Sequence, residues 1–252
     1  MATTDTTRLA VLIDSDNTTA NLTTELLEEI AKYGTPTIKR AYGDWTTQNL
    51  VGWKKELLRH AIQPVQQFAH TRGKNSTDSA LIIDAMDLLY AGNLEGFAIV
   101  SSDSDFTRLA TRLRESGMTV YGLGRRNTPE SFVSACDRFI YLDLLSGELR
   151  KPARAASKDE EPAPSLPNLR RLLSSAISST SKDDGWSNLA EVGSYLSKSH
   201  AAFDPRDYGH TKLGELARGE SYVEVKEVPG PSGLSQLWVR LEPQAPKARG
   251  TR

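Results

Sequence analysis

Strand-length apolar runs that stop at carboxylates constrain this chain most. Residues 9–14 read LAVLID and residues 97–102 read FAIVSS, with Asp103 directly after. A short continuous apolar run without alternation is what a strand covered on both faces needs, as in a parallel sheet between helices. The intervening segments keep an alternating β-α order. TTELLEEIAKYG has helical periodicity with Gly34 placed as a C-cap, and TIKRAYG (37–43) reads as a strand. QNLVGWKKELLRH reads as a helix, and IQPVQQFA (62–69) as a strand that Pro64 places at its start or near a sheet edge. TDSALIIDAMDLLYAG predicts a helix with Thr or Asp at its N-terminus, and FTRLATRLRESG an amphipathic helix ending on Gly117. MTVYGLG (118–124) and RFIYLDL (138–144) complete the strands. This order predicts a three-layer α/β domain with a mostly parallel sheet.

In open parallel sheets, sites form beyond the carboxyl ends of the strands. Asp14 ends the first strand and Asp103 follows the run 97–102, so both should reach one sheet edge; Asp78, opening a helix, can face the same edge. Gathered carboxylates repel and raise one another's pKa, and a hard divalent cation removes that cost. Two-metal sites of this type cut phosphodiesters, so the residues predict a metal-dependent nuclease core.

Asp103 and Asp105 stand at i and i+2, more than one helix cap requires. Asp16 fits either an outer position around an ion or a cap, and Asn17 can orient Asp14 or a ligand. Asp84 interrupts the apolar run ALIIDAM, as a hydrogen-bonded support or as a ligand. Arg72, Lys74 and Arg108 are the basic residues assigned to substrate phosphates. Trp45 and Trp53 fit the core or, alternatively, stacking on unpaired bases. Gly122-Leu123-Gly124 lacks the third glycine and the first-strand position of a dinucleotide fingerprint.

At 252 residues the chain exceeds the usual single domain. Residues 1–148 form the α/β unit. A proline-, alanine- and charge-rich stretch at 149–165 reads as a flexible linker, residues 166–243 as a second unit, and 244–252 as a disordered tail. The second unit carries three helical segments and two strand-like runs, SYVEVKEV and SQLWVRL, around the turn sequence PGPSG, which suggests a winged helix. No apolar run approaches the ~18 residues of a membrane span, and the single cysteine, Cys136, suits a reducing cytoplasm. A net charge of −1 does not announce a nucleic-acid binder, so any such surface has to be local.

LIDSDN, IKRAYGDW, GKNSTDSALIIDAMDLLY, VSSDSDF and TPESFVSACDRFIYL together resemble the NYN family, a PIN-like branch that includes the LabA-like proteins. The resemblance implies a Rossmann-like α/β/α sandwich and a Mg²⁺- or Mn²⁺-dependent ribonuclease, a hydrolase. Asp14, Asp78 and Asp103 match its acidic core, with Asp105 joining them as catalytic and metal-binding residues. DDGWSNLAEVGSYL and FDPRDYGHTKLGEL resemble an OST-HTH/LOTUS domain, which implies RNA binding, to single-stranded or structured RNA, and in some proteins a helicase partner. Trp186, Arg206, Tyr208, His210 and Lys212 are its RNA-binding candidates, although Trp186 and Tyr208 could equally be core residues.

Two other functions compete. Asp14-x-Asp16-x-Thr18 also fits the opening of haloacid-dehalogenase-type phosphatases, in which the first Asp is a nucleophile; the expected early helix and the DSD motif fit that class poorly. A non-catalytic RNA-binding adaptor with structural acids is the other alternative.

Overall fold

The computed structural model describes residues 7–68, 76–145, 166–229 and 235–242, which fall into two compact units. The linker expected at 149–165, the tail expected at 244–252, and Arg72 and Lys74 lie outside the described residues. No described helix is long and apolar enough to cross a membrane.

In the first unit six strands form one parallel sheet: β1 (Arg8–Asp14), β2 (Thr35–Gly43), β3 (Gln63–Gln66), β4 (Gly96–Val100), β5 (Thr119–Gly124) and β6 (Arg138–Tyr141). Their order is β3-β2-β1-β4-β5-β6. The chain builds outward from β1 to β3, then returns to lay β4 on the other side of β1. That reversal is a topological switch point, where the loops after β1 and β4 diverge and leave a crevice.

Alternation across the strands divides the core into two layers. Leu9, Val11, Ile13, Ala98 and Val100 pack with α1 (Thr23–Ala31) and α2 (Trp53–Arg59). Ala10, Leu12, Phe97 and Ile99 pack with α3 (Ser76–Ala91), α4 (Thr107–Glu115) and α5 (Glu130–Ala135). Both faces of β1 and β4 are therefore covered, which is why their sequences are apolar throughout.

Several local expectations need correction. Gly34 is not a left-handed cap: α1 ends at Ala31, and the positive-φ glycines among the described residues are Gly92, Gly117, Gly185 and Gly209. A Cβ at Gly34 would lie 2.4 Å from the Thr7 carbonyl oxygen, so close backbone approach is what requires glycine there. The segment QNLVGWKKELLRH divides into a 3-10 turn (Gln48–Leu50) and the short α2. The third strand shrinks to four residues at the sheet edge, where Pro64 is tolerated. The helix α5 has no counterpart among the helices expected from periodicity.

The second unit contains α6 (Leu169–Thr180), β7 (Ser187–Asn188), α7 (Leu189–Ser199), a 3-10 turn (Pro205–Tyr208), α8 (Leu213–Gly219) and the antiparallel pair β8 (Val223–Pro229) and β9 (Ser235–Leu241). Leu172, Leu173, Ile177, Val192, Leu196 and Val239 form its core. The three helices and hairpin match expectation. The two-residue β7 adds a third strand, giving the order β7-β9-β8.

Candidate active site

Asp14 is fully buried at the end of β1. Its carboxylate accepts hydrogen bonds from Ser101 Oγ at 2.7 Å and Asn17 Nδ2 at 2.8 Å. Burial pushes its pKa up, the Ser101 and Asn17 donors pull it down, and the neighbouring Asp16 raises it again. Ser101 follows β4 and is itself buried; its Oγ also accepts from the Asp103 backbone N–H at 3.1 Å. One hydroxyl thus ties the end of β1 to the start of the DSD loop.

Asp103 is the N-cap of a 3-10 turn (Ser104–Phe106), accepting from the Asp105 N–H at 2.9 Å. Capping engages Oδ1 and positions the carboxylate of Asp105 beside it. Asp78, in the first turn of α3, completes a group: one carboxylate oxygen each from Asp78, Asp103 and Asp105 lie within 4.8 Å of one another. Asp78 is 8% exposed, and its pKa is pushed up to about 6 by burial and then by Asp14, Asp103, Asp105 and Asp16. Asp14 belongs to this electrostatic set but not to the close group of three.

Asp16 is exposed at the rim and accepts from Thr77 Oγ1 at 2.9 Å, holding the first turn of α3 to the loop after β1. Asp84 does not reach the acidic group. It pairs with Arg40 and accepts from the Tyr42 hydroxyl, which clamps α3 onto β2. Arg108 is exposed on α4. Trp53 is 2% exposed in the core, and Trp45 Nε1 donates to the Val65 carbonyl at 3.1 Å, so neither indole is set up as a free stacking platform.

Ser101 is not singled out by the sequence, though it adjoins a motif that is, and Thr77 is read there only as a helix cap. Ser102 is not singled out either: its Oγ accepts from the Arg125 N–H at 2.8 Å, bringing the end of β5 beside the DSD loop. Burial pushes the Cys136 thiol up to about 12, which keeps it protonated and unreactive.

The NYN domain family matches residues 8–143, more than half of the chain and all six strands of the parallel sheet. The chain belongs to the NYN family. The OST-HTH/LOTUS domain matches residues 164–235, within the winged unit. No curated protein matches the chain. Among solved structures, a Vibrio parahaemolyticus protein of unknown function is 16% identical, covers 56% of this chain and 96% of its own, and has a TM-score of 0.47. An uncharacterised Nitrosomonas europaea protein is 28% identical over 38% of this chain and 93% of its own, with a TM-score of 0.29. A segment of a Chromobacterium violaceum protein is 29% identical over 38% of this chain and 97% of its own, with a TM-score of 0.27. At these scores the fold assignment rests on the chain's own strand order and the family matches.

In the LOTUS domain, the candidates divide. Arg206 donates to the Asp204 carboxylate at 2.7 and 3.0 Å, and Asp204 also caps the turn that carries Arg206. The Tyr208 hydroxyl donates to the Pro167 carbonyl at 2.9 Å. Both side chains are thus engaged within the domain. Trp186 is 7% exposed, whereas Lys212 is exposed just before α8, and His210 lies against Gly219.

Proposed function

We propose that this NYN–LOTUS protein is a metal-dependent ribonuclease that hydrolyses RNA phosphodiesters, with the LOTUS domain binding RNA. The observation that carries the reading is the meeting of Asp78, Asp103 and Asp105 at the carboxyl edge of the parallel sheet, with Asp14 buried behind them. Four carboxylates cost stability when bare, as the raised pKa of Asp78 records. An all-oxygen, all-anionic donor set fits Mg²⁺ or Mn²⁺ rather than a softer ion.

In this reading Asp78, Asp103 and Asp105 hold the cation and Asp14 is the fourth member of the acidic set. When bound, a hard divalent cation supplies positive charge against the phosphate and lowers the pKa of water. Asn17 and Ser101 fix the Asp14 carboxylate, Asp16 and Thr77 fix the entry of α3, and the 3-10 turn fixes Asp105. Arg108 and Arg125 are exposed near the DSD loop in sequence or through Ser102, and serve substrate phosphates along with Arg72 and Lys74. The phosphatase alternative needs Asp14 as an accessible nucleophile; full burial, with Oδ2 accepting from both Ser101 and Asn17 and Oδ1 facing the Asn17 N–H at 3.4 Å, argues against it.

The test is cleavage of labelled single-stranded RNA, duplex RNA and single-stranded DNA in Mn²⁺, Mg²⁺ or EDTA. RNA cleavage that requires metal and is lost in Asp14→Asn and Asp103→Asn supports the nuclease. RNA binding without cleavage under any metal would leave the adaptor.

A further inference from the structure

The outer face of the LOTUS sheet joins Trp186 to residues that its sequence motifs did not suggest. Along β9, Leu237, Val239 and Leu241 alternate with Gln236, Trp238 and Arg240, and Val239 and Leu241 join the helical core. Gln236, Trp238 and Arg240 therefore point the other way, paired across to Val228, Lys226 and Glu224 on β8. Trp186, just before β7, lies against this face: its ring has Lys226 Nζ 3.8 Å and Arg240 Cζ 4.7 Å from the centroid. Lys182 Nζ stands 4.6 Å from the Trp238 ring. Two indoles thus hold three cations on one sheet face.

Cation–π contact orders a long side chain without neutralising it. Among the described residues neither Lys182 nor Lys226 has a carboxylate partner; Arg240 shares its Nε with Glu224 at 2.6 Å. Other acids nearby in sequence are Asp183, which is exposed, Asp184, whose carboxylate accepts from the Trp186 N–H, and Glu227, which pairs with Arg218 at 2.6 Å. Ordered, unpaired ammonium groups among flat aromatic rings match the alternating phosphates and bases of a single strand. The 3-10 turn that carries Arg206 and Tyr208 offers no comparable set, because both side chains are engaged within the domain.

We infer that this face, built from Trp186, Trp238, Lys182, Lys226 and Arg240, is the surface on which the LOTUS domain takes single-stranded RNA. The inference rests on the RNA-binding part of the proposed function and does not require cleavage. Lys226 and Lys182 contact phosphates, and the partly exposed Trp238 offers a ring to a base once Lys182 turns to its phosphate.

The full-length protein in EDTA is titrated with a fluorescent mixed-sequence single-stranded RNA across a range of salt concentrations. Lys182→Glu/Lys226→Glu is compared with wild type and with Lys198→Glu, an exposed change on α7 away from this face. Unchanged melting shows that the variants fold. The expected result is affinity weakened about tenfold or more in the double variant, with the slope of log K against log salt reduced by about two, and little change in Lys198→Glu. Wild-type affinity and slope in the double variant would overturn the inference and leave the face to a protein partner; so would a wild-type protein that binds no RNA. Cleavage is read separately with Mn²⁺: RNA binding through this face without cleavage sinks the nuclease alone, and cleavage with unaltered binding in the double variant sinks this surface alone.

Discussion

A single carboxylate shows what gathering these acids costs the fold. Burial and then the neighbouring carboxylates push Asp78 up to about 6 in the folded protein, from an ordinary value of 3.8. Between those pH values the native state holds more protons than the unfolded one, so stability falls as pH rises through that window. The metal-free protein therefore loses on the order of 1–3 kcal/mol from this residue by neutral pH. Asp78→Asn should raise the melting temperature at pH 7.5 in EDTA, leave it nearly unchanged at pH 4, and abolish metal-dependent cleavage. A lower melting temperature at pH 7.5 would contradict the assignment of repulsion to this group. Ser101 acts differently, because its hydroxyl both donates to Asp14 and accepts from the Asp103 N–H. Ser101→Ala should cost about 1–3 kcal/mol in denaturant titration, since the buried Asp14 carboxylate loses one of its donors and the half-buried Asp103 N–H loses its acceptor. Cleavage should fall at least tenfold with RNA affinity retained.

At the scale of elements, α3 is both scaffold and site. Its first turn presents Asp78, while Asp84, six residues on, grips Arg40 and Tyr42 of β2. Asp84→Ala strands a partly buried guanidinium and a buried phenol, at a cost of order 1–3 kcal/mol. It should also weaken Mn²⁺ binding, measured by calorimetry, because the helix carrying Asp78 loses its anchor. An unaltered metal affinity would make the clamp purely structural. The glycines of β5 have a packing role. A Cβ on Gly122 would lie 2.4 Å from Phe139 Cδ2 and 2.7 Å from Cys136 Sγ, so β6 and α5 can close on β5 only if that position is bare. Gly122→Ala should cost about 1–3 kcal/mol by overpacking, read as a lower denaturation midpoint.

Over the whole molecule, the two units have separate hydrophobic cores. Scanning calorimetry of the full chain should accordingly resolve two transitions. Saturating Mn²⁺ should raise only the transition of the NYN unit, by about 2.7 kcal/mol at a hundredfold excess over Kd. A single transition moved as a block would show that the units fold together.

The α/β order, the two buried strands and the acidic motifs were legible in the sequence because apolar continuity and strand-end charge are local properties. LAVLID and FAIVSS each announce coverage on both faces, and the carboxylates that follow mark the sheet edge where a crevice opens. The division of labour among the acids was not legible. Asp14, Asp78, Asp103 and Asp105 look alike in sequence, and only the β1–β4 switch point places three within ligand distance while leaving the fourth behind them. Asp84 differs from Asp78 by less than two helical turns, which turns its side chain toward Arg40 and Tyr42 and away from the acidic group. Gly34 reads locally as a helix cap and Gly122 as one position of a strand, but what demands glycine at each is backbone or side-chain mass arriving from elsewhere in the fold. The cationic face of the LOTUS sheet likewise exists only because β8 and β9 pair in one register, bringing together lysines and tryptophans that are far apart along the chain. Residue type and local period are written in the chain; which like residues meet is decided by strand order, helix phase and register.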